Sequence, residues 1–261
     1  MNVPFPVRAI PSLTFRAWLT PPPIGSRALA RDAEAVADLP SFRVGNIAAF
    51  ELGSGPLVLA VHGWGGRPAQ MTALARALAG SGFRVIVPEL PGHAGGEVTD
   101  IKQAAAALRR LIEDVGQPEA VIGHSFASMV MRLAFCDAAP ASVALLAPAL
   151  DVTDALQVFG DRLRLFPWAR RGLRMRLEAW DRSLWPIVSN LHPNQMPGAD
   201  MLIVHDPEDR ETSFARAVEL ADIRPGTEVI PAPDSGHNGI LADDFALDRV
   251  IRFLTRESVR R

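Results

Sequence analysis

The chain has 261 residues, enough for one large single-core domain or a core with a small insertion, and its 48% apolar content suits an α/β enzyme. A formal charge of −2 with no Lys/Arg block gives no electrostatic footprint for nucleic acid. The single cysteine, Cys136, excludes an internal disulfide and a cysteine-based metal cluster, and the absence of tyrosine removes a phenol from the catalytic repertoire.

Residues 1–42 form a proline-rich lead-in, broken at Pro4, Pro6 and Pro11 and carrying one helical stretch near Ser26–Asp38. Its role stays open between packing over the core and covering the mouth of a site. It lacks the continuous apolar run of a signal peptide, and no stretch reaches the roughly 18 apolar residues of a membrane span. The expectation is a cytoplasmic protein without stable membrane insertion.

From there the pattern becomes regular. Leu57–Val61 is a short, wholly apolar run, as expected of a strand covered on both faces. The turn His62-Gly63-Trp64-Gly65-Gly66 and a helix to about Gly80 follow it. Arg84–Val87 reads as the next strand and ends in Pro88-Glu89-Leu90-Pro91-Gly92-His93. A helix from Asp100 to Val115, strand Ala120–Ile122, helix Phe126–Cys136 and strand Val143–Leu146 come next, with the Cys136 thiol expected to be buried or half-buried. Residues 151–197 change character: seven arginines alternate with Phe159, Phe166, Trp168, Trp180 and Trp185, and no strand-like run occurs. This segment reads as a helical insertion. Strand Met201–Val204, a helix near Ser213–Leu220, strand Glu228–Ile230 and helix Asp244–Thr255 complete the chain. Short apolar strands alternating with longer helices indicate βαβ units and a mostly parallel sheet.

Four motifs fall at strand ends, where open parallel sheets place their chemistry. Gly123-His124-Ser125-Phe126-Ala127 turns directly from strand to helix, which projects the Ser125 hydroxyl and aims the following amides at developing negative charge. A serine that only caps the helix is the plainer alternative. The glycines of His62–Gly66 let that loop fold back, so the amide of Trp64 joins that of Phe126 as a two-donor oxyanion hole. The segment Val204-His205-Asp206-Pro207-Glu208-Asp209 offers three carboxylates to orient a base. Asp209 lies in the loop, within reach of a neighbouring loop, and Asp206 is placed to shape the turn before Pro207. Ser235-Gly236-His237-Asn238 supplies the general base, His237, the histidine that satisfies the serine–acid–histidine chain order. Of the other histidines, His62, His93 and His124 line or brace the pocket, His205 is structural, and His192 sits on the insertion.

Taken together, these residues resemble the α/β-hydrolase superfamily over about 45–261, and specifically its lidded esterase/lipase-like members. The resemblance implies an α/β-hydrolase fold: a mostly parallel central sheet flanked by helices, with a core of 43–150 and 198–261 and a helical lid insertion at 151–197. It assigns Ser125 as nucleophile, His237 as base, Asp209 as acid with Asp206 in reserve, and the amides of Trp64 and Phe126 as oxyanion donors. Ala127 and Asp206 replace glycines of the family pattern, and Glu89 replaces an aspartate. The implied activity is hydrolysis of a small-molecule carboxylic ester through an acyl-enzyme, with no cofactor or metal. A C–C bond hydrolase, a thioesterase, lactonase or amidase, and a non-catalytic binder on the same fold are the alternatives. The oligomeric state is not legible in the sequence.

Overall fold

The computed structural model describes residues 5–93, 95, 97–192 and 195–259. Residues 1–4 of the lead-in, 193–194 of the insertion and the last two residues of the chain lie outside them. Eight strands form one sheet in the order β1-β2-β4-β3-β5-β6-β7-β8. The hairpin β1 (Ser41–Val44) and β2 (Ile47–Leu52) is antiparallel and pairs antiparallel with β4 (Arg84–Pro88). The remaining strands, β3 (Leu57–Val61), β5 (Ala120–His124), β6 (Ser142–Leu146), β7 (Asp200–His205) and β8 (Thr227–Pro231), run parallel to β4.

Strand alternation divides the core into two apolar layers. Leu59, Val61, Val121, Val143, Leu145 and Ile203 face α4 (Ile101–Val115), α5 (Ala127–Ala134) and α9 (Phe214–Ile223). Val58, Ala60, Ile122, Ala144, Leu146, Leu202 and Val204 face α3 (Thr72–Gly80) and α10 (Asp244–Val259). Both layers are buried, which is why these strands read as unbroken apolar runs. From β3 the chain steps outward to β4 and then returns to β5 on the other side of β3. This reversal opens the crevice at the carboxyl ends of β3 and β5.

Between β6 and β7 the chain inserts three helices, α6 (Val152–Arg162), α7 (Pro167–Trp180) and α8 (Trp185–Val188). Asp151 caps α6 by accepting from the Thr153 amide at 2.7 Å. Arg132, a buried arginine of α5, fastens both ends of the insertion. It donates to the carbonyls of Leu150 (3.1 Å), Asn190 (2.7 Å) and Ile187. Burial pulls its pKa down to about 10, so it stays charged at neutral pH.

Three local expectations need correction. The lead-in contains a second helix, α1 (Phe5–Trp18), preceding α2 (Ser26–Val36), although Pro6 and Pro11 argue against one. Pro6 falls in the first turn, where no helical N–H is missed, and packing of α1 along α7 offsets the interior Pro11. The β1–β2 hairpin was not foreseen; its two-residue Gly45-Asn46 turn, with Gly45 at φ +58°, is the signal for it. Finally, α5 stops at Ala134, so Cys136 falls beyond the helix and its thiol is exposed, 3.5 Å from the Asp137 carboxylate.

Replacing Arg132 with methionine keeps the stem and removes the donors of three carbonyls. Chemical denaturation should show a loss of about 3 kcal/mol; a loss well under 1 kcal/mol would mean that the carbonyls find other donors.

Candidate active site

The end of β5 forces a close approach between strand and helix. A Cβ on Gly123 would come within 2.4 Å of the Met131 sulfur and 3.3 Å of the Ala127 methyl. The Met131 sulfur fills the space Gly123 leaves empty, and Ala127, the alanine that departs from the family's glycine, borders it and is itself fully buried. Ser125, two residues on, sits at φ +53°, an unfavourable backbone region for a residue with a side chain. Its amide donates to Leu146 O (3.0 Å), and its carbonyl accepts from the amides of Ser128 (3.1 Å) and Ala149 (3.0 Å) and the Ser128 hydroxyl (2.7 Å). These bonds hold the turn so that the Ser125 hydroxyl faces the loop after β8.

There, Ser125 Oγ lies 3.0 Å from His237 Nε2, and His237 Nδ1 donates to Asp209 Oδ2 at 2.8 Å. The Asp209 side chain is fully buried and accepts from every side. Its Oδ1 takes the amides of Glu211 (2.7 Å) and Thr212 (3.3 Å), and its Oδ2 also takes the Thr212 hydroxyl (2.8 Å) and His205 Nε2 (3.2 Å). Burial raises the carboxyl's pKa, but the hydrogen bonds from His205, His237 and the Glu211 amide outweigh it and hold the group well below the usual carboxylate range. Asp206 does a different job: it accepts from the Glu208 amide (2.9 Å) and from the Gly236 amide (2.7 Å), tying the acid loop to the histidine loop.

His62, His93 and His124 are braces. His62 donates from Nδ1 to Gly63 O (2.9 Å) and accepts the Leu90 amide on Nε2 (3.1 Å), which fixes one neutral tautomer. His124 donates from Nε2 to the His237 carbonyl (2.8 Å). His93 stands edge-on to both His62 and Trp64, at 5.0 and 5.2 Å between centroids. Trp64 meets Phe126 at 5.0 Å, so an aromatic contact joins the loop after β3 to the turn after β5. Among the described residues, neither the Trp64 nor the Phe126 amide is spent on a backbone acceptor. Glu89, at the position where aspartate was expected, is half-buried, and burial pushes its carboxyl up.

Two residues of the site were missed. Thr212 bonds Asp209 and stands 3.4 Å from His237 Nδ1. Glu211 lies 3.5 Å from His237 Nε2 and pairs at 2.7 Å with Arg162 of the inserted helix α6. Their signal was adjacency to Asp209, since a loop that delivers one side chain to a site delivers its neighbours too. Ser125 and His237 open on a cavity of about 370 Å³. Its walls include Trp64, Phe126 and Met129 of the core, Phe159, Leu177, Trp180 and Trp185 of the insertion, and Trp18 of α1. The aromatic residues of the insertion thus divide: Phe166 and Trp168 stack on each other outside, and the other three line the cavity.

The profile of the alpha/beta hydrolase family matches residues 57–253, and the chain belongs to that family. Its structure is similar to a candidate lipase from Acinetobacter baumannii, with TM-score 0.69 and 17% identity over 92% of this chain and 99% of that one. It is also similar to a membrane phospholipase A described as a bacterial virulence factor, with TM-score 0.60 and 18% identity over 96% and 93%. An esterase of the planctomycete Thermogutta terrifontis aligns with TM-score 0.61 and 16% identity over 84% and 93%. No curated protein matches the sequence significantly.

The buried imidazoles set an acid limit on stability. Burial and the neighbouring His93 and His237 rings lower His62 to about 3 and His124 to about 4, against 6.5 in an unfolded chain. Between those values the unfolded chain binds protons that the folded one refuses. Their contribution is therefore complete above about pH 6.5 and is lost on acidification, by up to about 1.4 kcal/mol per pH unit for each ring. Urea midpoints should fall steadily from pH 7 to pH 5; a flat profile over that range would show that the rings protonate freely in the folded state.

Proposed function

We propose that the protein is a serine hydrolase that cleaves carboxylic esters by two-step acyl transfer. The observation that carries this reading is the hydrogen-bonded series Ser125–His237–Asp209, at 3.0 and 2.8 Å, at the edge of a largely apolar cavity. Ser125 Oγ attacks the ester carbonyl carbon as His237 Nε2 takes its proton. Asp209 keeps Nδ1–H pointed inward and stabilises the imidazolium. The amides of Trp64 and Phe126 hold the oxyanion until it collapses, breaking the bond to the alcohol, which leaves with the proton from His237. Water then loses a proton to His237 and attacks the acyl-enzyme, and the acid departs as Ser125 regains its hydrogen. None of these steps asks for a metal or cofactor.

The inserted helices act in this reading as a lid whose inner aromatic face holds the apolar part of the ester. A C–C bond hydrolase would want arginines to pair with a substrate carboxylate. Here Arg170 pairs with Asp161, Arg174 with Glu178, and the cavity-lining Arg162 with Glu211, which favours an uncharged substrate. Thioester, lactone and amide hydrolysis use the same groups, and kcat/KM across substrate types ranks them.

Ser125→Ala should abolish hydrolysis of p-nitrophenyl butyrate and labelling by a fluorophosphonate. Asp209→Asn should lower kcat by about 10⁴-fold through the wrong imidazole tautomer, whereas Asp206→Asn, which only loosens a loop contact, should lose far less. Full activity in Ser125→Ala would refute the assignment, and equal losses at Asp206 and Asp209 would refute the division between them.

A further inference from the structure

We infer that the N-terminal segment is a working wall of this site: α1 roofs the cavity that holds the ester's apolar chain, and the strap after it braces the loop carrying the Trp64 amide. The inference rests on the serine-hydrolase reading and adds to it a specificity role for Trp18 and a positioning role for Asp32.

The first half of the case is where α1 attaches. Trp18 lines the same cavity as Ser125 and meets Phe159 of α6 edge-to-face, with centroids 5.2 Å apart at 87°. One turn earlier, Phe15 meets Trp180 of α7 at 5.8 Å and 78°. Arg176 of α7 lies 5.3 Å over the Phe15 ring and donates to Ser12 Oγ at 3.0 Å. The helix is thus zipped to the inserted helices, and this holds Trp18, at its C-terminal end, against the cavity. Aromatic edge contacts of this kind suit a wall that must stay apolar and keep its shape.

The second half is the strap. Leu19, buried and also on the cavity wall, accepts from the Thr99 amide at 2.8 Å. Pro22 then packs on Gly65: a Cβ there would come within 2.7 Å of the proline ring, and Gly65 is at φ +67°. Farther along, Asp32 of α2 forms an ion pair with Arg67, immediately after Gly66, and both side chains are about four-fifths buried. Pro22 at Gly65 and the Asp32–Arg67 pair just after Gly66 therefore hold the stretch that directly follows Trp64. A glycine loop that must present one amide at a fixed position gains most from such bracing, because a misaimed donor forfeits transition-state stabilisation while ground-state binding is little affected.

The two halves predict different kinetic signatures. In Trp18→Ala, the kcat/KM ratio of octanoate to acetate p-nitrophenyl esters, or of octyl to ethyl acetate if the chain sits on the alcohol side, should fall about tenfold as the roof over the chain is lost. In Asp32→Ala, kcat should fall about tenfold on short and long esters alike, with KM and the chain-length ratio kept, and Asp32→Glu should restore it. Both variants are counted per active site titrated to completion with a fluorophosphonate, so a segment that only steadies the fold would lower the titrated fraction and leave the chain-length ratio and the kcat per titrated site unchanged. If Trp18→Ala does not fold, Trp18→Leu carries the same measurement. The inference is overturned if neither chain-length ratio moves in the folded Trp18 variant, or if Asp32→Ala keeps its kcat. Ser125→Ala separates this from the reading beneath it: an active Ser125→Ala protein sinks the hydrolase assignment, and an inactive one alongside unmoved Trp18 and Asp32 variants sinks the wall alone.

Discussion

The contact between β5 and α5 governs the geometry of the site. Gly123 has no room for a methyl because Met131 and Ala127 occupy it, and that closeness leaves a turn so tight that Ser125 must adopt a positive φ. A serine in this conformation costs on the order of 1–3 kcal/mol. Four hydrogen bonds to its own backbone groups, from α5, the end of β6 and the segment after it, over-determine the turn and offset that cost. The strain persists because those bonds, with the close-packed strand and helix behind the turn, leave it no relaxed alternative. Exchanging a glycine for Ala127 is compatible with this, since only one of the two sides of the contact has to give way.

What the turn does for Ser125, the Asp209 carboxylate does for the His237 ring. It is buried, which alone would favour its neutral form, yet two imidazoles, one hydroxyl and two amides converge on it and keep it ionised. The arrangement is possible because β7 and β8 are adjacent and parallel, so the loops that follow them leave the sheet side by side. Asp206 exploits the same adjacency from the strand end, locking the two loops through the Gly236 amide. The two carboxylates are three residues apart in sequence. One faces the imidazole and the other faces backbone, and that difference separates a charge partner from a hinge pin.

The sheet and the meeting of Ser125, Asp209 and His237 were legible because each leaves a local signature. Buried parallel strands are continuous apolar runs, the sharp turn demands small residues around Ser125, and the chain order of the three groups fixes which loop must carry which. The choice between Asp206 and Asp209 needed the family pattern in addition, because both lie at the end of the same strand. What was illegible depended on contacts distant in sequence. The helix α1 forms against its prolines because α7 is there to receive it. Arg132 looks like an ordinary helix arginine until its acceptors, some of them more than fifty residues away, come into place. The Cys136 thiol was misplaced by two residues of helix, enough to turn it from the interior to the surface. Glu211 and Thr212 resembled loop polarity because nothing in the sequence says which neighbours of Asp209 turn inward.

The chemistry and the cavity are therefore built from different materials. Ser125, Asp209 and His237 sit on short loops at strand ends, backed by the sheet. Much of the cavity wall comes from segments added outside the sheet, α1 and the three inserted helices, and these are joined to the core by a few polar fasteners. Arg132 holds the insertion's ends, Arg216 reaches Asp151 and Asp154 at the start of α6, Lys102 of α4 pairs with Asp181 at the end of α7, and Arg162 pairs with Glu211 beside the imidazole. Apolar walls alone would slide on the core, since dispersion has little directional preference, whereas ion pairs and carbonyl clamps fix register. The last of these fasteners differs from the rest. It is the point where a wall helix touches a side chain 3.5 Å from the base, so any displacement of α6 that breaks the Arg162 pair also alters the charge facing His237. Cavity shape and the charge facing His237 are coupled through that pair, whereas the Ser125 backbone, although it opens on the same cavity, is held by bonds to Leu146, Ser128 and Ala149 that no wall helix supplies.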